Sequence, residues 1–159
     1  MDSLQFKAAK VQTPQGSFYQ GLRMDGEVSA VVILRAGSCF ETGLKRVIPD
    51  CQTGRMLIQT NYHTGEPELH YQKLPSNIST HDSILLLDPQ ISSGGAALMA
   101  VKVLVDYGVP EDKIVFVTYV AGKLGINRLL NVFPDLNVVA CRVVGTFEER
   151  WIEKRYFGC

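Results

Sequence analysis

The segment Ser83-Ile84-Leu85-Leu86-Leu87-Asp88-Pro89-Gln90-Ile91-Ser92-Ser93-Gly94-Gly95-Ala96 passes from an unbroken apolar run, through an acidic residue and a proline, to two hydroxyls and two glycines. An apolar run without polar alternation is the pattern of a strand buried on both faces of a sheet. Beyond it Ala97, Met99, Val101, Val103, Leu104 and Val105 supply the apolar positions of a helix, which Gly108 and Pro110 stop. Paired glycines ahead of a helix let backbone N–H groups approach an anion closely, and the helix dipole favours negative charge there. Ser92 and Ser93 can donate hydroxyls to phosphate oxygens. Asp88, at the strand end, is placed to accept hydrogen bonds from sugar hydroxyls or to meet a metal ion through water. The same residues also suit a plain strand-to-helix turn in which Asp88 caps and the glycines bend the chain. Residue types alone leave both readings open. The loop is neither a Walker A loop, whose Lys after the glycine is missing, nor a GxGxxG dinucleotide loop.

Working outward, Val28-Ser29-Ala30-Val31-Val32-Ile33-Leu34 is a second buried-strand pattern, ending at the polar turn Arg35-Ala36-Gly37-Ser38. A helix is expected from Glu41 to Val47 and a strand from Arg55 to Thr60. Asn61 to Pro67 reads as a loop, with Glu68 to Lys73 returning as a hairpin arm. Downstream, a strand over Ile114–Tyr119, a helix over Leu124–Val132 and a strand over Asn137–Val143 follow. This alternation predicts an α/β fold with a parallel sheet, right-handed crossovers and flanking helices. Ligands in such sheets lie at the carboxyl ends of the strands, where Arg35-Ala36-Gly37 and Asp88 to Gly95 both fall.

Whole-chain properties narrow the classes. The 159 residues suit one domain, expected to span 1–159, with no repeat, low-complexity tract or linker. Hydrophobic residues at 46% and charged residues at 20% fit a globular chain and not a disordered one. Lys plus Arg and Asp plus Glu both number 16, so there is no cationic surplus for nucleic acid. Zero net charge permits self-association. Cys39, Cys51, Cys141 and Cys159 form no CxxC pair, which argues against zinc and against a disulfide framework. There is no apolar run of about 18 residues and no secretory leader, so a cytoplasmic protein without a membrane partner is expected.

The motifs together resemble uracil phosphoribosyltransferases, and more closely the uracil-phosphoribosyltransferase-like domain at the C-terminal end of uridine/cytidine kinases. That family's ribose-phosphate loop, roughly D-P-M-x-A-T-G-G-[ST], appears as Asp88 to Ala96, and its R-A-G loop as Arg35-Ala36-Gly37. Leu57 to Asn61, Thr64 to Tyr71 and Leu74-Pro75 look like the kinase-attached version. Asp106 to Glu111 and Arg155-Tyr156-Phe157-Gly158 continue the match, and Thr13-Pro14-Gln15-Gly16 with Tyr19-Gln20-Gly21 resembles the hairpin that precedes the core.

The resemblance implies a type I phosphoribosyltransferase-like fold with a β-hairpin arm. It implies transfer of phosphoribose from phosphoribosyl pyrophosphate (PRPP) to uracil, giving uridine monophosphate (UMP) and pyrophosphate, with Mg2+ carried on the pyrophosphate and no direct metal ligands. By carry-over, Asp88 binds ribose hydroxyls, Ser92, Ser93, Gly94, Gly95 and Ala96 bind the 5′-phosphate, and Arg35, Ala36 and Gly37 meet the pyrophosphate. Asp88 and Arg35 would be the catalytic pair. Arg155, Tyr156, Phe157 and Gly158 would border the base. A dimer or tetramer is implied too, with His70 and Tyr71 in the arm.

Three departures bear on the chemistry. The family's base-recognition segment, P-G-[IL]-G-[DN]-x-G-D-R-[YF]-[FY]-G, is replaced by Gly145 to Gly158, without its glycines and with Lys154 where Asp precedes the Arg. A flat pyrimidine needs edge-on hydrogen bonds at close range, so this loss weakens base recognition. Trp151 and Phe147 remain, for stacking or for packing. Ala96 stands where the family has Ser or Thr, a lost hydrogen bond to charged phosphate worth about 1.5–3 kcal/mol. The family's N-terminal helices are absent, as expected for a shortened relative or a piece of a uridine kinase-type chain. The expected function is therefore a phosphoribosyl-binding domain of pyrimidine salvage that senses nucleotides such as UMP or UTP, or assembles a uridine kinase-like protein. The alternative is an active uracil phosphoribosyltransferase. Arg128 and Arg142 could reach phosphate and His63 could act near substrate, but solvent-exposed or salt-bridged arginines and a surface histidine are the preferred readings; Cys39 is read as an ordinary thiol in preference to a reactive one.

Overall fold

The computed structural model describes residues 6–145. An antiparallel hairpin comes first, β1 (Phe6–Gln12) and β2 (Phe18–Met24), whose strands among the described residues pair only with each other. There follow β3 (Val28–Leu34), α1 (Ser38–Val47), β4 (Gln52–Thr60), β5 (Pro67–Lys73), β6 (Ser83–Leu87) and β7 (Gln90–Ile91). The described chain closes with α2 (Gly95–Asp106), β8 (Ile114–Gly122), α3 (Lys123–Val132) and β9 (Asn137–Val144). Strands β3 to β9 form a seven-stranded sheet in the order β5-β4-β3-β6-β8-β9, with the short β7 also on β8. All pairs are parallel except β4 with β5.

The central strands are those whose apolar runs are continuous. β6 is buried at all five positions, and β3 at all but its last. Val31, Ile33, Ile84, Leu86, Ile114 and Phe116 face one side, where Ala97, Ala100, Val101 and Leu104 of α2 and Leu129 of α3 cover them. Ala30, Val32, Leu85, Leu87 and Val115 face the other side, against Phe40 and Leu44 of α1. Right-handed crossovers require this division. From β3 the chain moves one way along the sheet to β4, and from β6 it moves the opposite way to β8 and β9.

Element ends differ from the sequence reading where backbone pairing decides them. β4 starts at Gln52 because Gln52, Thr53 and Gly54 pair with β3, although none is apolar. α1 starts at Ser38, not Glu41, because the Arg-Ala-Gly turn winds directly into it: the N–H groups of Ser38, Cys39 and Phe40 donate to the carbonyls of Arg35, Ala36 and Gly37. The candidate base-binding residues Arg155, Tyr156, Phe157 and Gly158, with Phe147 and Trp151, lie outside the described residues.

Candidate functional site

The parallel strands run in the order β4-β3-β6-β8-β9, so the crossover direction reverses between β3 and β6. The loops leaving those two strands diverge to opposite faces and open a crevice at their carboxyl ends. Arg35-Ala36-Gly37 leaves β3 there, and Asp88 to Gly94 leaves β6.

A cavity of about 640 Å³ fills this crevice. Ala36 lines it from the first loop, and Asp88, Gln90 and Ser92 line it from the second. The β4–β5 hairpin closes the remaining wall with residues 59–63, Glu68 and His70. Among the described residues none that lines the cavity is Lys or Arg, and the basic side chains facing it are the imidazoles of His63 and His70.

Gly37 holds the two loops together. A Cβ on it would meet the carbonyl oxygen of Leu87, at the end of β6, and would lie 2.6 Å from that of Ile33. Only glycine allows backbone to pass backbone this closely. Arg35, joined to Leu34 by a cis peptide, opens the turn without lining the cavity.

Asp88 follows the last residue of β6, and its N–H donates to the carbonyl of Val117. Its carboxyl lies deep yet opens on the cavity, so the residue as a whole is half-buried. Burial pushes its pKa up to about 7, and a long bond (3.4 Å) from the Gln90 N–H opposes the rise only slightly. Near neutrality this group changes charge, either accepting from two hydroxyls or donating to one.

Past Asp88, the Pro89 carbonyl accepts from the N–H groups of Tyr119 and Val120, and β7 pairs with β8. Gly94, at φ +83°, turns the chain into α2, whose first residues are Gly95 and the half-buried Ala96. The Ser93 carbonyl accepts a 2.9 Å hydrogen bond from Nη1 of Arg128, on α3. Asp88, Ser92 and Ala36 are thus brought to one cavity. Ser93, Gly94 and Gly95 form the turn behind it.

Of the hairpin's contributions, the sequence pattern gives Asn61 no role at the site and prefers a surface role for His63. Asn61 Oδ1 accepts from the N–H groups of His63 and Thr64, and its Nδ2 donates to Glu68. This side-chain turn brings His63 to the cavity although it remains solvent-exposed. The Asn61 position next to a glycine-containing loop was the available signal.

Comparison with known proteins agrees with this geometry. Residues 1–152 match the family model described as uracil phosphoribosyltransferase. The chain is 44% identical over 141 residues to mouse uridine-cytidine kinase-like 1, covering 88% of this chain and 26% of that protein. Identity to the Saccharomyces cerevisiae uridine kinase is 38%, over 84% of this chain and 29% of that protein. Identity to the uracil phosphoribosyltransferase of Dictyostelium discoideum is 37%, over 96% of this chain and 68% of that protein. The chain therefore spans 26–29% of the first two of these relatives' length. Among solved structures, the AQ2163 protein of Aquifex aeolicus superposes with a TM-score of 0.77 at 23% identity, over 92% of this chain and 68% of that one. The Giardia lamblia APRTase complexed with 9-deazaadenine gives 0.57 at 15% identity, over 75% and 71%. At such identities these two likenesses speak for the fold alone.

Proposed function

The chain belongs to the uracil phosphoribosyltransferase family and has the type I phosphoribosyltransferase fold; from that premise we propose that its cavity binds a phosphoribosyl group, as a nucleotide-sensing or assembly domain of a uridine kinase-like protein in pyrimidine salvage. One observation carries the reading: the loops after β3 and β6 meet at a single cavity that Asp88, Ser92 and Ala36 all line. Asp88 receives the ribose hydroxyls. Ser92, Ser93 and the N–H groups from Gly94 to Ala96, at the start of α2, receive the 5′-phosphate. Arg35, Ala36 and Gly37 receive pyrophosphate.

The replaced base-recognition segment, Gly145 to Gly158 without the family's glycines, supports binding over turnover. Breaking the bond to pyrophosphate requires stabilising the charge on the leaving group; among the described residues the cavity lining offers two imidazoles for that task, and Arg35 stands on the first loop. Among the described residues no cluster of three or more His, Cys, Asp or Glu could hold a metal ion. Asp88 and Glu68 on the cavity wall instead suit a hydrated Mg2+ arriving on phosphate oxygens, where it would neutralise their charge. A second reading, active transfer of phosphoribose from PRPP to uracil by Asp88 and Arg35, is favoured by the retention of both loops.

The assembly role rests on the β1–β2 hairpin, which exposes Phe18 and Leu22, and points to a second copy of the chain as partner. No helix among the described residues is long and apolar enough to cross a membrane.

Calorimetric titration with PRPP and Mg2+, followed by uracil, with chromatography for UMP, tests these readings. Binding without UMP is expected. UMP formation would replace the sensing role by the transferase, and absence of binding would remove both.

A further inference from the structure

Gly125 and Arg128 are three residues apart on α3 and so share one face of that helix. Leu129, beside them, points into the core and fixes how the helix lies. The Gly125 face presses on the loop after β6 without a side chain between. A Cβ on Gly125 would meet the carbonyl oxygen of Ser92 and would lie 2.8 Å from Cγ2 of Ile91 and 3.2 Å from the N of Gly94. The contact is mutual, since a Cβ on Gly94 would lie 2.8 Å from the carbonyl oxygen of Gly125. One turn further, Arg128 Nη1 donates to the Ser93 carbonyl at 2.9 Å.

We propose that this face of α3 is a positioning device for the phosphate loop, with Arg128 as its positioning residue and Gly125 as the gap that admits the loop. The inference rests on the phosphoribosyl reading of the cavity. A trans peptide holds its C=O and N–H on opposite sides. With the Ser93 carbonyl held toward the guanidinium, the Gly94 N–H is held facing away from that guanidinium. The same side chain places a permanent positive charge behind a loop whose cavity, among the described residues, is lined by no Lys or Arg. A phosphate would thus meet a donor array that is already oriented and already electropositive, and would bear less of the cost of ordering it.

The test compares wild type with Arg128→Ala and Arg128→Lys, at an exposed position where neither change disturbs the core. Two readouts are used. Amide hydrogen exchange of residues 92–96 in the unliganded protein should be about tenfold faster in Arg128→Ala, from loss of one hydrogen bond to a charged group. Calorimetry should show ribose 5-phosphate binding about tenfold weaker in that variant, while inorganic pyrophosphate, held at the other loop, binds as in wild type. Arg128→Lys, which keeps a charge and a donor, should recover most of both losses. Unchanged exchange and unchanged ribose 5-phosphate affinity in Arg128→Ala would overturn the inference. An equal loss for both ligands would also overturn it, because that would be a general structural effect. If wild type bound neither ligand while exchange still responded to Arg128→Ala, the phosphoribosyl reading would fall and the fastening of the loop would stand.

Discussion

In the proposed role Asp88 would meet opposed demands. Ribose hydroxyls would need an acceptor, whereas burial at the end of β6 disfavours the carboxylate and raises its pKa to about 7. An unfolded-chain Asp titrates near 3.9. Between those values the unfolded state loses its proton and the folded state keeps it, so stability falls as pH rises through this window and levels off above it. Asp88→Asn removes the titration. In urea unfolding it should be more stable than wild type at about pH 8, by no more than about 4 kcal/mol, with the difference vanishing near pH 4. A difference independent of pH would show that the carboxyl is not held protonated. The adjacent glycines give a sharper contrast. Gly94→Ala meets both a positive φ and the Gly125 carbonyl, so it should lower stability by about 1–2 kcal/mol or more. Gly95→Ala meets nothing closer than 3.6 Å, at Pro67, and at the first position of α2 it should be neutral or stabilising by about 0.4–1 kcal/mol. Thermal unfolding of the two variants distinguishes them, and equal losses would contradict this account of the turn.

Strands and hairpins differ in how far the sequence announces them. β3 and β6 begin and end at the residues where their apolar runs do, because both faces are buried and every position reports it. β7 carries no pattern in its two residues, and the polar start of β4 exists only through its hydrogen bonds to β3. The two loops of the site were legible because glycine, hydroxyl and acid recur there in a chemically meaningful order. Asn61 carries no such signal, and for His63 and Arg128 a role near substrate or phosphate stands second to a surface one in the sequence, because each becomes relevant only when a hairpin or helix from elsewhere folds across the loops. The β1–β2 hairpin is the converse case, an element that no layer covers among the described residues. Phe18 and Leu22 lie on one of its faces and are 60% and 76% exposed. An isolated two-stranded hairpin is marginal in water. The Lys7–Asp25 ion pair and the stacking of Lys10 on Phe18 are surface contacts of small value. A second copy covering this face would supply the missing burial. Phe18→Asp with Leu22→Asp should therefore reduce the mass seen in sedimentation while leaving the sheet folded. An unchanged mass would locate self-association elsewhere or exclude it.

Across the molecule, one topological fact organises the chemistry. Because the crossover direction reverses between β3 and β6, two loops far apart in sequence share one crevice, and the β4–β5 hairpin supplies its third wall. Neither core depends on the cavity, since the apolar side chains of α1, α2 and α3 pack on the sheet faces below it. A site at the strand ends can thus change its catalytic side chains without loss of the fold, as a sensing or assembly domain derived from a transferase would require. In the proposed function this cavity, and no other part of the surface, would receive a phosphorylated ribose. Backbone amide chemical shifts recorded during titration with ribose 5-phosphate test it most directly. Saturable shifts confined to Ala36 and Gly37, Asp88 to Ala96 and the hairpin wall around Asn61 are the predicted result; saturable shifts centred elsewhere, or none, would contradict it.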